Sequence, residues 1–169
     1  MTDWSSIVRE HGPLVWRTVF RLLNRHADAA DCFQQTFLAA VELAEKQPVR
    51  DWPALLRRLA TARAIEQLRL RYRSAARNAP LTDAEVDPSV PDPLVHAAGG
   101  ELADRLREAL AAIDPRQAAA FCLTALDGLS NAEAGEAMGV SANHANVLVY
   151  RARRSLRGLM IGFDPKVTR

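Results

Sequence analysis

The chain has 169 residues, 49% of them hydrophobic, 6% aromatic and 25% charged, with a formal net charge of +2. That apolar fraction is enough to close a core and too large for wholesale disorder. No apolar run approaches the roughly 18 residues that a membrane-crossing helix needs, and the opening MTDWSSIVREHG lacks an apolar signal core, so the sequence reads as a cytoplasmic protein without membrane insertion.

The small net charge hides a strongly uneven distribution. Residues 50–77 hold eight arginines against Asp51 and Glu66, residues 141–157 hold four arginines and no acid, and residues 27–45 hold four acids and no base. Only Lys46 and Lys166 among the 22 cationic residues are lysines, and guanidinium groups suit bidentate contact with phosphate and guanine. Cys32 and Cys122 stand outside any CxxC pair, and His11, His26, His96 and His144 stand singly. Core thiols are therefore expected, with no disulfide framework, no metal site and no cofactor.

In chain order, the first element reads as helix from the spacing of Leu14, Val15, Thr18, Val19 and Leu22, with Gly12-Pro13 predicting a break or kink after an opening turn at Trp4 to Arg9. A second helix, Asp28 to Glu45, carries Ala30, Phe33, Phe37, Ala40, Val41 and Ala44 on one face and places Asp28 and Asp31 where the helix dipole favours anions. Those two carboxylates could also mimic an acid/base or metal pair, but acids at a helix start are the commoner arrangement. A third helix starts near Trp52-Pro53, with Leu55, Leu56, Leu59, Ala62, Ile65, Leu68 and Tyr72 on one stripe and arginine on the other side. Arginine is also a good surface helix former, so that basic side has a plain reading besides nucleic acid.

Residues 77–100 change character: four prolines, Gly99-Gly100, four acids, and no Lys or Arg after Arg77. They read as a flexible acidic linker, long enough to span on the order of 65 Å, so the two halves need not touch. Helix resumes at Glu101. Asp114-Pro115, Asp127-Gly128, the capping-box pattern Ser130-Asn131-Ala132-Glu133, the breaker Gly139 and the cap Ser141 then delimit helices at about 101–112, 115–127, 131–138 and 142–157. The last two form a helix-turn-helix pattern. The fold class expected is all-α: a three-helix domain at 1–76, the linker at 77–100, a four-helix domain at 101–160 and a tail at 161–169. Ile161 and Phe163 of that tail are expected to pack back on the second domain.

On the final helix, Ala145, Leu148, Val149, Ala152 and Leu156 form the packing face. That leaves Asn143, His144, Asn146, Val147, Tyr150, Arg151 and Arg154 as candidates to face a DNA groove, the N-terminal ones nearest base edges and the arginines nearest phosphates. The bland alternative is a solvated helix carrying a few arginines. No Ser/His/Asp order in a strand context and no Gly-rich phosphate loop supports an enzyme.

These residues resemble the extracytoplasmic-function group of bacterial RNA polymerase sigma factors. Asp28-Ala-Ala-Asp31-Cys-Phe-Gln34-Gln-Thr-Phe37-Leu looks like its region 2 signature, and Trp52 through Arg69 resembles the promoter-reading helix that follows. Asp-Pro-Arg-Gln at 114–117, Asp127-Gly-Leu-Ser130, Met138-Gly-Val-Ser141 and Arg151-Ala-Arg-Arg resemble region 4. The resemblance implies a non-enzymatic protein that docks on core RNA polymerase, reads the −35 element of promoter DNA as duplex through region 4, and captures the opening −10 strand through region 2.

By position, it implies polymerase contacts at Asp28, Asp31, Gln34, Gln35 and Phe37, with core packing an equal reading for Phe37. Base capture would fall on Lys46, Arg50 and Trp52, where Trp52 is either a stacking platform or a core anchor. Arg57, Arg63, Gln67 and Arg71 are the further DNA candidates. An anti-sigma factor is the implied regulatory partner.

The pattern also departs from the family. Gln35, Ala39 and Val41 stand where Glu, Arg and Trp are usual; Leu55 and Thr61-Ala62 replace Trp and Arg-Asn; Asn146 and Leu148 stand where Lys and Arg are frequent. Loss of two cations predicts weaker phosphate neutralisation at the −35 element. The competing readings are a stand-alone helix-turn-helix regulator, binding an operator as a dimer, and a sigma-like adaptor that binds polymerase without reading DNA.

Overall fold

Asp3 begins the first helix: its carboxylate accepts from the Ser6 amide at 3.2 Å and the Ser6 hydroxyl at 2.6 Å, and the Ser6 hydroxyl bond above all holds it below its ordinary pKa. In the computed structural model, which describes residues 2–77 and 100–161, helix α1 then runs unbroken through Trp4–Leu23. The expected break at Gly12-Pro13 is absent. Pro13 lies on the exposed side, where water can satisfy the carbonyl its missing N–H leaves unpaired, and Gly12 is buried against the Phe33 ring. Asn24 ends α1 in the left-handed conformation at φ 49°.

α2 (His26–Lys46) and α3 (Trp52–Arg77) complete the first half, their ranges close to those expected. The three helices pack on one another around Val15, Val19, Leu22, Leu23, Ala29, Ala40, Leu56, Ile65 and Leu68, all nearly inaccessible. Each such large side chain contributes about 1.5–3 kcal/mol on burial. Asp51 caps α3, its Oδ1 accepting from the Ala54 amide at 2.9 Å.

The second half holds α4 (Gly100–Ala112), α5 (Pro115–Phe121), α6 (Asn131–Met138) and α7 (Ala142–Met160). Among the described residues there is no strand, and the all-helical fold is as expected. The expected helix 115–127 divides: α5 gives way to a π-helical turn at Cys122–Leu126, after which Gly128 takes φ 74°. The helix-turn-helix caps form as the sequence predicts. Ser130 and Glu133 close a reciprocal capping box, Gly139 turns the chain at φ 68°, and the Ser141 hydroxyl accepts from the His144 amide at 3.1 Å.

The expected linker lies outside the described residues except Arg77 and Gly100, which belong to α3 and α4. Phe163 and the rest of the tail beyond 161 lie outside them too. Ile161 is described and is 78% exposed, so it does not pack back as expected.

The two halves touch extensively, which spacing along the chain did not require. α3 packs on α4, α5 and α6, and one hydrophobic cluster runs from Leu22 and Leu68 into Leu110, Ile113, Ala118, Cys122 and Leu156. Helix ends are capped across the boundary. The Arg107 guanidinium, on α4, donates to the α1 carbonyls of Leu22 at 3.0 Å and Arg21 at 2.9 Å, a favourable place for a cation.

Candidate nucleic-acid interface

The α2 face opposite the core is open. Asp31, Gln34 and Gln35 are exposed on it, and Leu38, one turn on, is 63% exposed. The i, i+3, i+4, i+7 spacing sets all four on one stripe, so this face combines a carboxylate, two amides and a large unburied aliphatic chain. Leu38 is the member that sequence reasoning passed over, although the quoted motif ends on it.

Two other residues expected on this face are elsewhere. Phe37 is buried, its ring 5.0 Å from that of Phe33, which settles it as core. Asp28 accepts from Arg71 Nη2 at 2.6 Å, and Arg71 Nη1 donates to the Leu23 carbonyl at 2.9 Å. Arg71 is thus spent on joining α1, α2 and α3 and does not face outward as a free phosphate contact. Helical phase explains the miss: Arg57 and Arg71 share the side of α3 turned inward, while Arg63, Arg73 and Arg77 are on the exposed side with Glu66 and Leu70. Arg73 and Arg77 are further exposed cations of the same face.

At the start of α3, Lys46 and Arg50 are exposed, and Trp52 is half-buried with its ring edge-on to Trp4, centroids 5.3 Å apart. That contact gives Trp52 a packing partner inside the first half. Arg57 and Gln67 are both half-buried.

α7 offers the cleanest surface. Asn143, His144, Asn146, Tyr150, Arg151 and Arg154 are all exposed along it, with Val147 half-buried at their margin and Arg153 and Arg157 adding charge toward the C-terminus. Ala145, Leu148, Val149, Ala152 and Leu156 are buried as expected. Leu148 therefore bears on the core, so its replacement of a family cation does not remove a charge from the outward face. Asn146 Oδ1 accepts from Asn131 Nδ2 at 3.2 Å, tying the two helices of the motif at their outer edge. Gly135 makes the turn possible: a Cβ there would stand 2.9 Å from the Val140 carbonyl oxygen.

Neither thiol is available for chemistry. Burial raises the pKa of Cys32 to about 11 and that of Cys122 to about 12. Among the described residues no cluster of His, Cys, Asp and Glu is suited to a metal ion, and no helix is long and apolar enough to cross a membrane.

The arrangement combines an open polar stripe on α2, a basic third helix and a capped helix-turn-helix. The family model for Sigma-70 region 2 matches residues 7–74 and that for Sigma-70 region 4 matches residues 103–156. Together the two models match most of the chain, which belongs to the sigma-70 family. It is 28% identical over 157 residues to the ECF RNA polymerase sigma factor SigE of Mycolicibacterium smegmatis; the match covers 93% of this chain and spans 61% of that relative's length.

Among solved structures, the chain resembles the sigma factor RpoE in complex with the anti-sigma factor NepR from Bartonella quintana, at 21% identity and TM-score 0.56 over the whole of both chains. It also resembles CnrH in complex with the cytosolic domain of CnrY, at 23% identity and TM-score 0.60 over 95% of this chain and 88% of that one. SigJ of Mycobacterium tuberculosis matches at 24% identity and TM-score 0.52 over 89% of this chain and 50% of its own. At these identities the likeness is one of fold.

Proposed function

We propose that this chain is a cytoplasmic sigma factor that binds core RNA polymerase and directs promoter-specific initiation by reading −10 and −35 elements. The observation that carries the reading is the pairing, in one chain and in sigma order, of an open α2 stripe with a helix-turn-helix whose second helix exposes amides at its N-terminal end and arginines beyond. The stripe of Asp31, Gln34, Gln35 and Leu38 takes the polymerase. Asn143, His144 and Asn146 address base edges of the −35 duplex, Tyr150 and Val147 flank them, and Arg151 and Arg154 take phosphates. Lys46, Arg50 and Trp52 lie where the −10 strand would pass, with Arg63, Arg73 and Arg77 along the exposed side of α3.

No catalytic step belongs to this function; the work is recognition. Residues 1–76 and 101–160 act as region 2-like and region 4-like units, with 77–100 as their tether. RpoE, a sigma factor of similar fold, forms a complex with the anti-sigma factor NepR, and a sequestering protein of that kind is the proposed regulator of this chain.

Selection of bound sequences from random duplexes, with and without core polymerase, tests the reading. Enrichment of two elements at fixed separation, dependent on core, is expected. Tight binding to palindromic sites without polymerase would replace it with a stand-alone dimeric regulator.

A further inference from the structure

Two carboxamides meet across the outer edge of the helix-turn-helix. Asn131, the first residue of α6, donates from Nδ2 to Oδ1 of Asn146, in the second turn of α7, at 3.2 Å. Both residues are exposed, so water competes for the bond and it adds little to folding. Its consequence is directional.

The frame around this contact is fixed by other residues. The Ser130 hydroxyl accepts from the Glu133 amide at 3.2 Å and the Glu133 carboxylate accepts from the Ser130 amide at 2.8 Å, which sets the start of α6. Ser141 sets the start of α7 in the same way. Gly135 lets α6 come against the turn, where a Cβ would stand 2.9 Å from the Val140 carbonyl oxygen. Met138 packs both on Leu148 and Val149 and on Ala134 and Ala137, so one buried seam joins the two helices. Asn131 and Asn146 are thus held opposite each other by packing in which neither takes part.

A carboxamide has one accepting and one donating end. With Oδ1 turned to Asn131, Asn146 keeps its Nδ2 hydrogens for the groove. Bidentate pairing with adenine, which needs a donor for N7 and an acceptor for the N6 amino group side by side, is thereby lost. Guanine suits an outward N–H2 best, because its O6 and N7 both accept; thymine offers O4 alone, and cytosine sets its own N4 amino group against the donor. The polarity has a cause in the fold. The start of α6 is the positive end of its dipole, which favours an Asn131 amide with its oxygen toward the helix and its N–H2 away.

We infer that Asn131 is a specificity-determining positioning residue: it fixes the Asn146 amide with its N–H2 outward, so that one step of the −35 duplex is read as guanine and cytosine is refused. The duplex rests on the sigma-factor reading, whereas the direction of the amide is a property of α6 and α7 alone.

The test selects bound sequences from random duplexes with the full chain and purified core polymerase. The native chain is compared with Asn131→Ala, Asn131→Asp, Asn146→Ala and the double variant Asn131→Asp with Asn146→Ala. The step concerned is the one whose preference Asn146→Ala removes. There the native chain should favour guanine over cytosine by about tenfold, the scale of one good base contact. Asn131→Ala frees the amide and should admit adenine beside guanine. The carboxylate of Asn131→Asp only accepts, so it takes Asn146 Nδ2 and turns Oδ1 outward; preference should pass to cytosine or adenine, whose amino groups donate. That reversal should vanish in the double variant. An acid suits the first turn of a helix, and thermal unfolding of both Asn131 variants should match the native chain, which separates positioning from loss of structure.

The same preferred base in the native chain and in both Asn131 variants would overturn the positioning role and leave promoter reading standing. So would an Asn146→Ala selection that alters no step. A native preference for cytosine or adenine there would overturn the stated polarity. No core-dependent element from the native chain would overturn the inference together with the sigma-factor reading.

Discussion

Arg71 and Asp28 form a hinge pin inside the first half: Arg71 Nη2 donates to Asp28 Oδ2 at 2.6 Å while Nη1 holds the last α1 carbonyl, Leu23, at 2.9 Å. Their side chains are 16% and 26% exposed, so water screens the pair only partly. Removing the arginine leaves a carboxylate and a helix-end carbonyl without their partner.

Arg71→Ala is therefore expected to cost about 1–3 kcal/mol of stability by urea unfolding, the range for losing a charged hydrogen-bond partner. Arg63→Ala, on the exposed side of the same helix, should stay within about 0.5 kcal/mol and weaken DNA binding instead. Equal stability losses would contradict the assignment of inward and outward sides.

Asn146 and Arg151 separate base reading from phosphate contact. Arg151→Ala should weaken duplex binding alike across sequences and reduce its salt slope by about 1, whereas Asn146→Ala should change which bases are preferred. Binding selections on the holoenzyme check this. Sequence-independent losses from both substitutions would remove Asn146 from base reading.

Gly135→Ala tests the turn of the helix-turn-helix. The added methyl would meet the Val140 carbonyl oxygen at 2.9 Å and the Ala142 nitrogen at 3.2 Å, backbone atoms that cannot swing aside. A loss of about 1–3 kcal/mol is expected, together with loss of −35 duplex binding. An unchanged unfolding midpoint would mean that α6 and α7 can spread without penalty.

Alkaline stability should report the buried thiols. Folding raises the pKa of Cys122 from its ordinary 9.0 to about 12, so the unfolded chain loses that proton first. The thiol's contribution is complete below about pH 9 and is lost as pH rises toward 12, on the order of 2 kcal/mol by pH 11. Cys122→Ala should be less stable than the native chain near neutrality yet lose less on going to that alkaline pH. Parallel losses in the two proteins would place the effect elsewhere, at Cys32 or Tyr72, whose pKa values burial also raises.

Helix positions and caps were legible in the sequence because they depend on neighbours three or four residues away. Asp114, Ser130, Glu133, Gly139 and Ser141 all act within their own turn, and the exposed row on α7 follows from its period. A charge pattern does not say which arginines of a long basic helix turn inward: Arg71 is held by Asp28 and Leu23 inside the first half, and Arg57 is half-buried. The contacts of Arg21 with Asp127 and of Arg107 with Leu22 bridge about a hundred residues or nearly so, and no local spacing announces them. Gly12-Pro13 predicts a break or kink from a real backbone rule, and the exposed position of Pro13 within α1 makes the lost hydrogen bond tolerable without a break.

Run-off transcription with purified core polymerase on a genomic DNA library, sequencing the 5′ ends of the products, tests the central claim most directly. The chain should produce new starts that share two upstream elements, and Asp31→Arg, on the open α2 stripe, should abolish them while leaving stability within about 1 kcal/mol. No new starts from the native chain despite its association with core would contradict promoter reading and leave a polymerase-binding adaptor; no association with core would contradict the sigma-factor account altogether.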